Sequence, residues 1–195
     1  MRKLVLLLLI LSSTSFSKPA SFSNNCVDDW NAMGTKMDEA SEVISKAWNH
    51  LDADPQKSFE TYKKANSIAE IYWDTNSSRG TFKRIYESCK ESFDATNTEA
   101  RENDKYFKHI LDRSGCGMNL AGVMQSYHRA LKAVQKYNNA KNSSGIKLYA
   151  RMHARKARVK AEKLIELNSS CDYFSDMKSA AKNVRVRTEK WLENL

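Results

Sequence analysis

Turn-forming residues are scarce in this chain, which has only 6 glycines and 2 prolines among its 195 residues. A β-sandwich or barrel joins many short strands through closely spaced turns, so this scarcity disfavours a β-rich fold. Alanine, lysine, glutamate and leucine, which favour helix, are abundant instead. The composition therefore predicts an all-α protein.

The sequence also lacks the common signatures of catalysis and metal binding. It contains no Cys-x-x-Cys, His-x-x-x-His or Gly-x-Ser-x-Gly motif and no glycine-rich phosphate loop. The histidines stand apart from one another, at His50, His109, His128 and His153. We therefore predict no metal ion, no cofactor and no enzymatic activity. The alternative is a secreted hydrolase that cleaves an envelope or host polymer with two carboxylates, although nothing distinguishes one pair among 23 acidic residues.

The longest apolar run is short and stands near the start of the chain. Residues 4–11 are eight aliphatic residues that follow Arg2 and Lys3, whereas a membrane-spanning helix needs about 20. Ser15 and Ser17 are small residues at the positions that a signal peptidase reads. We predict a signal peptide over 1–17 that is cleaved after Ser17, then a short flexible N-terminus over 18–25. The product would be a secreted or periplasmic protein with no transmembrane segment.

Apolar residues recur at spacings of three and four along the rest of the chain, as they do in amphipathic helices. The pattern predicts one helical domain over 26–195, a disulfide-stapled bundle of six or seven helices. The predicted helices cover about 27–51, 55–73, 82–93, 97–113, 119–139, 146–167 and 172–195. Asp54 is the expected N-cap of the second helix, with Pro55 at its first position. Gly115-Cys116-Gly117 is expected to separate the fourth helix from the fifth.

Three Asn-Ser-Ser sequences, at Asn76, Asn142 and Asn168, fall between predicted helices. Asparagine and serine favour turns, so the three sites support the predicted helix boundaries. Each is also a glycosylation acceptor if the host is eukaryotic.

The predicted helices contain a hint of internal duplication. When the sequence is aligned with itself after a shift of 90 residues, Cys26 aligns with Cys116. The predicted helix break at 54–55 then aligns with the predicted helix break at 144–145. We therefore consider two tandem three-helix units, 26–95 and 116–195, joined by the helix over 97–113. Because any two amphipathic helices align in this way, a single undivided bundle is the simpler alternative.

Four cysteines in an exported chain predict two disulfides, since the compartments outside the cytosol are oxidising. Spacing alone leaves three possible pairings. Cys116 begins the predicted fifth helix and Cys171 begins the seventh, and an up-down-up arrangement would bring these two helix starts within the Cα reach of about 6 Å that a disulfide needs. We predict the pairs Cys116–Cys171 and Cys26–Cys89, one in each candidate unit.

Residues 146–163 are the most unusual segment, with seven lysines and arginines against Glu162 as the single acidic residue. At about 100° per residue, four of these cations share one face of the predicted helix: Lys147, Arg151, Arg155 and Arg158. Four cations on one face can contact carboxylates or phosphates. Alternatively, they are solvated and pair with the acidic helices at the start of the chain.

These features predict an exported, non-enzymatic binding protein. Its basic C-terminal half would engage an acidic protein or an anionic envelope or cell-surface component. Nucleic acid is disfavoured because the basic segment has no interleaved aromatic platform on which bases could stack. The alternative function is a helical carrier that encloses an apolar small molecule or lipid, because aromatic residues and methionines are frequent on the apolar stripes.

Overall fold

The described part of the chain is helical. The computed structural model describes residues 24–72, 97–140, 143–167 and 171–195, which form five α-helices and no strand. The helices are α1 (Asn24–His50), α2 (Pro55–Tyr72), α3 (Asn97–Asn139), α4 (Ser144–Leu167) and α5 (Ser175–Asn194). The predicted all-α class is confirmed. Of these five helices, none is both long and apolar enough to cross a membrane.

Several predictions fall outside the described residues. They are the signal peptide over 1–17, most of the flexible N-terminus, the third helix around 82–93, and the sites at Asn76, Asn142 and Asn168. Cys89 also lies outside them, so the Cys26–Cys89 disulfide stays a prediction. The division into units 26–95 and 116–195 stays a prediction for the same reason.

The break between α1 and α2 follows the sequence prediction. Asp54 Oδ1 accepts a hydrogen bond from the backbone N–H of Lys57 (3.0 Å), so Asp54 is the N-cap of α2. Pro55 occupies the first helical position, where its missing N–H leaves no helix bond unmade. Ser58 Oγ then donates to the carbonyl oxygen of Ala47 (2.8 Å), which ties the start of α2 to α1.

The predicted helix end at Gly115-Cys116-Gly117 is wrong, because α3 runs through it without a break. The predicted fourth and fifth helices are therefore one helix of 43 residues, about 65 Å long at about 1.5 Å per residue. The segment over 97–113 is the first part of α3 and not a separate linking helix. The described chain thus has five helices rather than the six or seven expected.

Packing explains why two glycines do not end this helix. A glycine inside a helix costs about 1 kcal/mol relative to alanine, and contacts with neighbouring elements offset that cost. Ser114 Oγ donates to Asn66 Oδ1 on α2 (2.9 Å), and Cys116 is disulfide-bonded. The ring of Tyr62 lies directly over Gly117, where a β-carbon would overlap it. Glycine at position 117 therefore permits a close helix contact rather than a turn.

α3 is the central helix of the described chain. α1 packs on α2 and α3, α2 also packs on α3, and α4 packs on α3 and α5. α5 runs parallel to α3, since Arg113 Nη2 lies 2.8 Å from Asp176 Oδ2 near the start of α5. Near its end, the ring of Trp191 stacks on that of Tyr127, with centroids 5.3 Å apart. The acidic α1 and the basic α4 both contact α3. Apart from α3, α1 packs on α2, whereas α4 packs on α5.

The Cys116–Cys171 disulfide is confirmed. It joins the middle of α3 to the residues just before α5, with 5.2 Å between the two Cα atoms. Both cysteines are fully buried beside Phe174 and Leu120 in the main core. The predicted proximity holds although Cys116 does not begin a helix, because α5 starts alongside the middle of α3.

Candidate binding surface

α4 meets the protein core with one narrow stripe of residues. The buried positions recur at spacings of three and four, as one face of a helix requires: Ala150, Ala154, Ala157, Ala161 and Leu164. Because alanine is small, α4 lies close against α3 and α5 while little of its circumference is covered. Most of the helix surface is left to solvent, and the charged side chains lie there.

The four predicted contact residues are not equally exposed. Arg155 is exposed, whereas Lys147, Arg151 and Arg158 are half-buried along one edge of the alanine stripe. Arg158 Nε lies 3.2 Å from Glu162 Oε1 of the same helix, so its charge is already paired. The other three cations form no ion pair with any residue in the described ranges. Three of the four predicted residues therefore remain available to an acidic partner.

The outermost side of α4 also carries apolar side chains for which the sequence analysis predicts no role. Leu148, Met152 and Val159 are 70%, 53% and 42% exposed, and Arg155 and Lys156 are exposed beside them. Exposed apolar residues that cluster on one face mark an interaction surface more often than scattered ones do. We call the following residues the basic face of α4: Lys147, Leu148, Arg151, Met152, Arg155, Lys156 and Val159.

Two acidic side chains of α1 are engaged within their own helix. Glu39 Oε2 lies 2.8 Å from Lys36 Nζ, and Glu42 Oε1 lies 2.7 Å from Lys46 Nζ. The hydrogen bond from Lys36 and its positive charge lower the pKa of Glu39. Since α1 packs on α2 and α3 whereas α4 packs on α3 and α5, the described contacts do not pair the basic helix with the acidic one. Among the described helices, the acidic α1 therefore does not cover the basic face of α4.

Three of the four histidines, His109, His128 and His153, contact aromatic rings. Within the ranges that the structure describes, no group of three or more His, Cys, Asp or Glu side chains is placed to hold a metal ion. His153 on α4 meets the ring of Tyr149 edge-on, with centroids 4.3 Å apart. His109 on α3 meets the ring of Phe174 in the same way at 5.0 Å.

His109 should make the protein less stable as the pH falls. Partial burial of its ring lowers the pKa of His109, the charge of Arg113 lowers it further, and Asp112 acts in the opposite direction. Because the pKa in the folded protein is below the unfolded value of about 6.5, the unfolded chain takes up the proton first. Stability should therefore decline as the pH decreases through that value, and the decline should stop below the folded-state pKa.

His109→Gln removes this titration, so the variant should lose less stability than the wild type between about pH 7 and about pH 5. Chemical denaturation at a series of pH values measures the difference. An identical pH dependence in the two proteins would show that His109 does not contribute.

The basic face therefore combines four cations, which form no ion pair within the described ranges, with three exposed apolar side chains on a helix that alanines hold against the core. Such a surface can form charge-assisted hydrogen bonds to carboxylates and bury apolar area in the same contact. No protein-family model, no curated protein and no solved structure matches this chain.

Proposed function

We propose that this chain is an exported, non-enzymatic binding protein that engages an acidic or anionic partner through the basic face of α4. The observation that carries the proposal is that one helix carries exposed apolar side chains beside exposed and half-buried cations that form no ion pair with a described residue. The Cys116–Cys171 disulfide supports export, because such bonds persist in oxidising compartments. The signal peptide predicted over 1–17 agrees with that location.

The apolar side chains favour one class of partner. A polyanion without apolar groups would leave Leu148, Met152 and Val159 in water, whereas an acidic protein with apolar side chains between its carboxylates would bury them. Arg151 and Arg155 suit carboxylates because the guanidinium group can form two parallel hydrogen bonds to one carboxylate. We therefore favour an acidic protein over an anionic envelope or cell-surface polymer as the partner.

Reversing three cations of the basic face should remove binding without unfolding the protein. The variant carries Lys147→Glu, Arg151→Glu and Arg155→Glu, and it spares Arg158, which already pairs with Glu162. Since like charges would then face the partner's carboxylates, we expect the affinity to fall at least about tenfold, or about 1.4 kcal/mol. Folding should change little, because surface substitutions usually cost within about 0.5 kcal/mol each. Affinity capture from the native compartment, quantified by mass spectrometry, measures the binding.

The matched control changes the net charge equally at a different surface. It reverses three exposed lysines of α2, as Lys57→Glu, Lys63→Glu and Lys64→Glu. An acidic protein that is captured by the wild type and by the α2 control, but lost by the α4 variant, supports the proposal. Equal capture by all three proteins would remove the basic face from the functional account.

A further inference from the structure

A groove opens along the other edge of α4 and is lined by residues of α2, α3 and α4. Its volume is about 360 Å³, near the lower end of the range of about 300–1,000 Å³ for small-molecule sites. All three helices contribute apolar lining, through Phe59 on α2, Met118 and Val123 on α3, and Leu164 on α4. Val123 and Leu164 are buried, whereas Phe59 and Met118 are half-buried. The groove is therefore an apolar surface with an opening to solvent.

Gly122 on α3 leaves part of this space open. A β-carbon built on Gly122 meets no atom within 4 Å, whereas one built on Gly117 overlaps the ring of Tyr62. Glycine inside a helix costs about 1 kcal/mol relative to alanine, and no close contact requires glycine at position 122. A larger side chain at this position would occupy the groove without displacing the core.

Two lysines of α4, Lys160 and Lys163, stand at the groove. Lys160 Nζ lies 3.4 Å from the carbonyl oxygen of Gly122, and neither lysine forms an ion pair with a residue of the described ranges. Partial burial lowers the pKa of Lys160, and the charges of Lys156 and Arg129 lower it further. Lys160 is exposed overall and its ammonium has the Gly122 carbonyl as a described partner, so an anion in the groove would further stabilise its charged form.

We propose that this groove binds a small anionic amphiphile. Its carboxylate pairs with Lys160 and Lys163, and its apolar chain lies along the lining that α2, α3 and α4 provide. A simple anion would leave the apolar lining in water, and a neutral apolar molecule would form no ion pair with the two lysines. The lining and the charges together therefore select a molecule that has both parts. The groove residues are distinct from the basic face, so the two binding sites can be tested separately.

Decanoate is the probe, and titration calorimetry with the full chain measures its binding. The wild type should bind decanoate at least about tenfold more tightly than decanol, which lacks the charge, and acetate, which lacks the chain. Gly122→Leu fills the open space, and Lys160→Gln with Lys163→Gln removes the charges. Each change should weaken decanoate binding by about tenfold or more.

The control for Gly122→Leu is Gly115→Leu, because a β-carbon built on this second α3 glycine also meets no atom within 4 Å. The control for the two lysine changes is Lys132→Gln with Lys136→Gln, which alters two exposed lysines of α3. Both should bind decanoate as the wild type does. A second measurement uses only the wild type and follows chemical acetylation of its lysines by mass spectrometry. Decanoate should protect Lys160 and Lys163 from acetylation but should not protect Lys57. No decanoate binding to the wild type, equal binding of acetate, full binding by Gly122→Leu, or no protection of Lys160 would each overturn the proposal.

Discussion

Replacing Cys116 and Cys171 by alanine is expected to lower the free energy of unfolding by about 4 kcal/mol. The two residues are separated by 55 positions, and a bond that closes a loop of this length restricts the unfolded chain. In the folded protein the bond joins α3 to the start of α5, and both cysteines are fully buried. Such a loss is a large part of the total of about 5–15 kcal/mol that is typical of a domain. Urea-induced unfolding followed by circular dichroism measures it.

Reduction of the wild type provides the control for this prediction. A reductant should lower the stability of the wild type by at least as much as the substitutions do, because it opens this loop and also the predicted Cys26–Cys89 bond. In the variant, a reductant should lower stability further only through the predicted Cys26–Cys89 pair. A variant within about 1 kcal/mol of the wild type would contradict the role of Cys116–Cys171, since that difference is ordinary for a point substitution. A variant that does not respond to the reductant would contradict the second pair.

Gly117→Ala and Gly115→Ala are expected to change stability in opposite directions, although both lie in the middle of α3. At Gly115 a β-carbon meets no atom within 4 Å, so alanine should stabilise the helix by about 0.5–1 kcal/mol. At Gly117 it would overlap the ring of Tyr62, which is fully buried. Overpacking of this kind typically costs about 1–3 kcal/mol. Denaturant unfolding of the two variants measures both effects.

A double-mutant cycle with Tyr62→Leu identifies the cause of the Gly117 effect. If the ring of Tyr62 is responsible, Gly117→Ala should be much less destabilising once the ring is removed, with a coupling of about 0.5–3 kcal/mol between the two sites. The same loss in both backgrounds would contradict the close contact. If Gly115→Ala were also destabilising, this part of α3 would require glycine for its backbone conformation rather than for close packing.

The sequence predicted most of the described helices but not the continuity of α3. Apolar spacing and the Asp54-Pro55 pair are local signals, so they placed α1, α2, α4 and α5 close to where they lie. The glycines at 115 and 117 are also a local signal, and locally they indicate a helix end. The reason for glycine at position 117 is the ring of Tyr62, which is far away in sequence, so only the packed structure reveals it.

The sequence predicts which cations the surface of α4 carries, but it does not predict which side of α4 faces solvent. A helical wheel gives the positions of Arg151 and Arg155 relative to each other, but not which side of the helix faces the core. Hydrophobicity alone favours burying Leu148 and Met152, which are exposed. The alanine stripe is buried instead, because small side chains let α4 approach α3 and α5 closely. The exposed apolar residues that characterise the basic face therefore could not be recognised from the sequence.

The affinity of the captured partner at rising ionic strength is the direct test of whether the basic face of α4 is the binding site. The proteins to compare are the wild type, the Lys147→Glu, Arg151→Glu, Arg155→Glu variant and the α2 control. Between about 0.1 M and about 1 M salt, the Debye length falls from about 10 Å to about 3 Å. We predict that the wild type and the α2 control lose affinity in parallel as salt rises, whereas the α4 variant binds weakly at low salt and does not weaken further. Equal affinities with equal salt dependence in all three proteins would contradict the assignment of binding to the basic face of α4.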